Sequence, residues 1–158
     1  MKFPLRWPST RHLALAGEED SLRVLLAEEN PRMREILSFI LRRDGHEVVA
    51  KTNGSAVLEA LSSGLLDAAD RRFHVIISED NLPGFPGLAI LASLRAWHQD
   101  TPFILITRNP NLHDQARGLG ALVLSHPFTL QAIRSLVRES VESGHRTRAA
   151  PAGAAVRP

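Results

Sequence analysis

The sequence predicts an α/β fold: a doubly wound, five-stranded parallel sheet with five helices, a three-layer αβα sandwich flanked by a tail at each end. Three observations carry this expectation. Five short apolar runs of strand length alternate with stretches whose apolar residues recur at helical spacing. Runs such as Val75-Ile76-Ile77 and Phe103 to Ile106 are apolar without alternation, the composition of strands buried on both faces. The runs then stop at polar or turn-forming residues that cannot continue a strand.

Leu22 to Ala27 is the first strand, ending at Glu28-Glu29. Asn30-Pro31 supplies an N-cap and a proline at the first helical position. Met33, Ile36, Leu37, Ile40 and Leu41 follow at helical spacing until Asp44-Gly45 ends the helix. His46 to Lys51 alternates and reads as the second strand. Asn53-Gly54-Ser55 opens a helix carrying Val57, Ala60, Leu61, Leu65 and Ala68, which ends around Asp70-Arg71-Arg72.

The third strand begins at Phe73, reaches two carboxylates at Glu79-Asp80, and enters the loop Pro83-Gly84-Phe85-Pro86-Gly87. Gly87 opens a third helix with Leu88, Leu91 and Leu94 inward and Trp97 near its end, before Thr101-Pro102 breaks it. Phe103 to Thr107 is the fourth strand, and Asn109-Pro110-Asn111 caps a short helix to Gly118. Ala121 to Ser125 is the fifth strand, ending at His126-Pro127-Phe128. Thr129 caps the last helix, with Ile133, Leu136, Val137 and Val141 on its core face. Residues 1–20 lack sustained periodicity and read as a flexible leader, in which Phe3 and Trp7 are candidate docking anchors. Residues 144–158, rich in Ala, Gly, Pro and Arg without a core face, read as a disordered tail.

Composition narrows the function classes. With 44% hydrophobic and 23% charged residues, the 158-residue chain has the profile of a globular domain. No apolar run approaches the ~20 residues of a transmembrane helix, and no secretory signal stands out, so a cytoplasmic protein without membrane contact is expected. The absence of cysteine excludes disulfides, thiol catalysis and thiolate metal sites. Residues 21–143 hold 13 basic and 14 acidic side chains, a net of −1, so the basic balance of the chain lies in its tails. A nucleic-acid-binding face on the domain is therefore not expected.

Four strand ends carry polar groups on one edge: Glu28-Glu29, Glu79, Thr107 and His126. In a flavodoxin-like strand order, 2-1-3-4-5, the first and third strands are neighbours at the switch point where open α/β sheets place ligands. The three glutamates should converge there, with Thr107 and His126 on the rim.

These residues resemble the receiver domain of two-component response regulators, over residues 21–143. The resemblance rests on the acidic pair Glu28-Glu29, the pattern Val75 to Gly84 with its acidic residue and Leu82-Pro83-Gly84, the hydroxyl of Thr107, the turn Gly120-Ala121, and His126-Pro127-Phe128. In that family an aspartate accepts a phosphoryl group from a histidine kinase, Mg²⁺ bridges it to the acidic pair, and a lysine steadies the charge. Here Glu79 stands at the acceptor position, His126 at the lysine position, and Val123 at the aromatic switch position. The segment between Thr107 and Gly120 is also short, which trims the fourth helix.

These departures shape the functional expectation. Glu79 lies one methylene farther out than an aspartate, and phosphoryl transfer depends on close positioning. Asp80 points to the opposite face of the strand. Mg²⁺ favours near-ideal octahedral geometry, so a cage of Glu28, Glu29 and Glu79 would hold it weakly at best, and no other cofactor is expected. An imidazole with an ordinary pKa of about 6.5 is a less dependable cation than lysine. The resemblance thus implies an atypical receiver without enzymatic activity, a phosphorylation-independent docking module in which Thr107 can hydrogen-bond the Glu79 carboxylate. The alternative is a working phosphoacceptor that uses Glu79 or Asp80 with Mg²⁺. Implied partners are a histidine kinase or a downstream effector at the surface of helix four, strand five and helix five, with the chain a monomer or weak homodimer.

Overall fold

The computed structural model describes residues 21–66 and 72–149. The elements are β1 (Arg23–Ala27), α1 (Pro31–Arg43), β2 (Glu47–Lys51), α2 (Gly54–Leu66), β3 (Val75–Glu79), α3 (Gly87–Ala96), β4 (Phe103–Thr107), α4 (His113–Gly118), β5 (Leu122–Ser125) and α5 (Leu130–Ala149). The strands form one parallel sheet in the order β2-β1-β3-β4-β5, as the sequence predicts.

The sheet is apolar on both faces because side chains alternate along each strand. Leu25, Ala27, Ile76, Phe103 and Leu105 face Val57 and Leu61 of α2 and Ile90, Leu91 and Leu94 of α3. Val24, Leu26, Val75, Ile77, Ile104 and Ile106 face Leu37 and Leu41 of α1 and Ile133 and Val137 of α5. Burying one such side chain is worth about 1.5–3 kcal/mol, so the two layers together hold the sandwich closed.

Local chemistry sets the ends of the elements. Asn30 accepts the Met33 amide at 3.0 Å and Pro31 occupies the first position of α1. Thr129 Oγ1 accepts the Ala132 amide at 3.1 Å ahead of α5. A 3-10 turn, Pro110–Leu112, precedes the six-residue α4, with Asn109 accepting the Asn111 amide at 3.0 Å. The half-buried guanidinium of Arg95, at the end of α3, donates to Leu119 O at 2.7 Å, Gln99 O at 2.7 Å and Thr101 O at 3.1 Å. It thereby ties the α3–β4 connection to the turn before β5.

The structure departs from the sequence expectations at several points. The last helix runs to Ala149, past the boundary drawn at residue 143. Once the inner turns of a helix are formed, each further residue adds one hydrogen bond, so an established helix can propagate outward. In α3 Ile90 is buried together with Leu91 and Leu94, whereas Leu88 is only partly covered. Ile36 of α1 is exposed, because the core-facing stripe runs through Leu37 and Leu41 with Met33 and Ile40 packed beside them. The proposed leader, Ala68 and Asp70-Arg71 of the α2 ending, and residues 150–158 lie outside the described residues. Among the described residues no helix is long and apolar enough to cross a membrane.

Candidate functional site

At the carboxyl edge of β1 the Glu28 amide donates to Lys51 O at 3.1 Å, continuing the ladder with β2. This draws the Glu28 side chain inward, where only 5% of the residue is exposed. Glu28 Oε1 accepts the Asn30 amide at 2.8 Å. Burial pushes the Glu28 carboxyl above its usual pKa; the Asn30 amide opposes the shift and the nearby Glu79 charge adds to it. Glu29 is exposed. Arg34 Nη1 donates to Glu28 O at 2.9 Å and Glu29 O at 3.0 Å, fixing the backbone of the acidic pair.

Glu79 is the last residue of β3, in register with Ile106 of β4. Its carboxylate is paired with His126: Nε2 lies 3.2 Å from Oε1 and 3.1 Å from Oε2. The two side chains are only 12% and 10% exposed, so the pair is largely withdrawn from solvent. A carboxylate accepts, so the contact is a hydrogen bond in the tautomer that places the proton on Nε2. The His126 amide donates to Thr107 O at 3.3 Å, and the ring packs against Phe128 with centroids 5.0 Å apart.

Thr107 is buried at the end of β4, but its hydroxyl does not bond the Glu79 carboxylate. Thr107 Oγ1 instead accepts the Asn109 amide at 3.0 Å and shapes the following turn. The expected hydroxyl–carboxylate hydrogen bond is replaced by the imidazole–carboxylate one. Asp80 is turned toward α3. Its Oδ1 accepts the Leu88 amide at 3.2 Å and its carbonyl accepts Leu82 and Gly87 amides at 2.9 Å each.

Glu28, Glu29, Glu79 and His126 line one open crevice of about 340 Å³. The same wall includes Arg32 and Arg108, neither of them anticipated from the sequence. Arg108 directly follows Thr107, and reading one residue past each strand end would have found it. Arg32 comes from the first turn of α1, whose proline-led start carries it over the edge.

The residues present do not fit a divalent-cation cage. Both Glu79 oxygens are engaged by His126, and one Glu28 oxygen by Asn30. Among the described residues no group of three or more His, Cys, Asp or Glu side chains is arranged to hold a metal ion.

Comparison with known proteins follows the same lines. The model of the family described as "Response regulator receiver domain" matches residues 24–149. The chain belongs to the response regulator receiver family. The transcriptional activator protein PfeR of Pseudomonas aeruginosa is 40% identical over 113 residues, covering 70% of this chain and 34% of that protein. The transcriptional regulatory protein TcrA of Mycobacterium tuberculosis is 27% identical over 125 residues, covering 77% of this chain and 47% of TcrA. The chain thus spans about half or less of the length of these curated relatives. Among solved structures, chemotaxis protein CheY4 of Vibrio cholerae is similar at a TM-score of 0.63 with 26% identity, covering 76% of this chain and 98% of that one. A receiver domain from Clostridium thermocellum shares the fold at a TM-score of 0.70 with 19% identity, covering 80% and 98% of the two chains.

Proposed function

We propose that this receiver acts as a phosphorylation-independent protein-docking module, with Glu79 in place of the phosphoacceptor and without enzymatic activity. The observation that supports it most is the Glu79–His126 pair. A carboxylate whose two oxygens both face one imidazole N–H, 3.1 and 3.2 Å away, is held by its neighbour and is not free to attack a phosphoryl group. In-line transfer would have to break a pair that is only 12% and 10% exposed. The pair also joins the ends of β3 and β5, so a side-chain contact ties this edge together. On this reading Glu79 imitates the charged state of the family's acceptor.

The proposed docking face is α4, β5 and α5, where Leu130 is 39% exposed and Ser125 Oγ meets His113 Nε2 at 3.0 Å. Its partner would be a signalling protein, a histidine kinase or a downstream effector, met in the cytoplasm by a monomer or weak homodimer. Neither nucleic acid nor membrane is a proposed partner. Incubation with acetyl phosphate and Mg²⁺ tests the proposal. It should leave no covalent adduct on the protein, and a stable, acid-labile, hydroxylamine-sensitive phosphoprotein would refute it.

A further inference from the structure

We propose that the crevice is closed to divalent cations because the imidazole of His126 takes the metal's place as the partner of Glu79. This goes beyond the docking reading, since a receiver that docks without phosphorylation could still bind Mg²⁺.

Three features of the crevice carry the inference. The first is where the imidazole nitrogen sits. His126 Nε2 lies almost equally far from the two Glu79 oxygens, at 3.2 and 3.1 Å, on the side from which an ion would approach both. A Mg²⁺ ion needs oxygen ligands at about 2.0–2.1 Å in octahedral array, so ion and N–H group cannot share that position. The second is how the ring is held. Its amide is bonded to Thr107 O at 3.3 Å and the ring lies tilted against Phe128 with centroids 5.0 Å apart, so clearing the space means giving up the ring contact as well.

The third is the charge of the wall. Against the carboxylates of Glu28, Glu29 and Glu79, the crevice brings the guanidiniums of Arg32 and Arg108 and the N–H of His126. A site built to attract a dication would leave its carboxylates in excess, as cation sites with oxygen ligands do. Here much of the compensating charge is carried by the chain itself. Glu28 adds little, since one oxygen already receives the Asn30 amide at 2.8 Å.

The test is a Mn²⁺ titration followed by electron paramagnetic resonance of the free ion, with Mg²⁺ competition. The wild-type protein, His126→Ala and His126→Gln are compared. The wild type should show no saturable binding into the millimolar range. His126→Ala frees both Glu79 oxygens and should show saturable Mn²⁺ binding, competed by Mg²⁺, within the range where the wild type shows none. His126→Gln keeps a side-chain N–H donor and should remain closed like the wild type.

Saturable binding by the wild type overturns the proposal, whether or not any variant folds. Binding lost in His126→Ala also overturns it, since the imidazole would then be a ligand. A folded His126→Ala that still does not bind shows that His126 is not the barrier, and overturns it as well. Phosphorylation by acetyl phosphate is read separately, so failure of the docking reading and failure of this inference are distinguishable.

Discussion

Burial raises the Glu28 carboxyl pKa despite the Asn30 amide, His126 and Arg34 that favour its charged form, and this has a measurable consequence. Its carboxyl pKa is raised in the native protein, so the folded state holds that proton more tightly than the unfolded state does. Stability should therefore fall as pH rises from the ordinary glutamate value of about 4.3 through the raised native value. Glu28→Gln removes the titration while its side-chain oxygen can still accept the Asn30 amide. The variant should be more stable than wild type at neutral pH, and the two should converge below about pH 4. Urea midpoints across that range measure the effect, and parallel profiles would count against it. At this scale strand ends and polar residue types in the sequence point to Glu28, Glu79 and His126. The hydrogen bonds are not written there. Thr107 takes the Asn109 amide two residues on, a local turn that competes with any contact to Glu79, whereas His126 meets Glu79 only because β4 sets the spacing between β3 and β5, which no local pattern encodes.

The connection from β3 to α3 shows what an element junction demands. A Cβ on Gly87 would lie 2.5 Å from Glu79 O and 2.9 Å from Ser78 Oγ, so the strand end and the helix start approach over bare backbone. Gly87→Ala should cost about 1–3 kcal/mol as an overpacked site and displace the carbonyl of Glu79, which chemical denaturation and amide chemical shifts would reveal. Asn30→Ala, by contrast, removes one cap and should cost about 0.5–2 kcal/mol, measured by thermal melting. Periodicity, caps and breakers make the order and approximate ends of the elements legible. The end of α5 is not, because the sequence from Gly144 to Ala149 has no apolar stripe to mark a continuation that depends on the turns already formed.

For the molecule as a whole, the two apolar layers make the central strands the common support of all five helices. Leu26, fully buried in β1, should cost about 2–5 kcal/mol as Leu26→Ala. That is a large part of the roughly 5–15 kcal/mol available to a domain of this kind. A fall in urea midpoint without a change in slope would show that one cooperative unit is weakened. The sheet order is legible as a whole-molecule property because alternating strands and helices with short connections leave few right-handed arrangements.

The tie made by Arg95 gives α3 a mechanical character. One end of this helix is fastened to the strand beside it through Asp80 and the Leu88 amide, and the other to Leu119 through the guanidinium. A rod of ten residues, about 15 Å long, that is fastened at both ends cannot tilt without carrying its attachments along. α3 is therefore built as a strut between the residue that follows β3 and the turn from which β5 sets out.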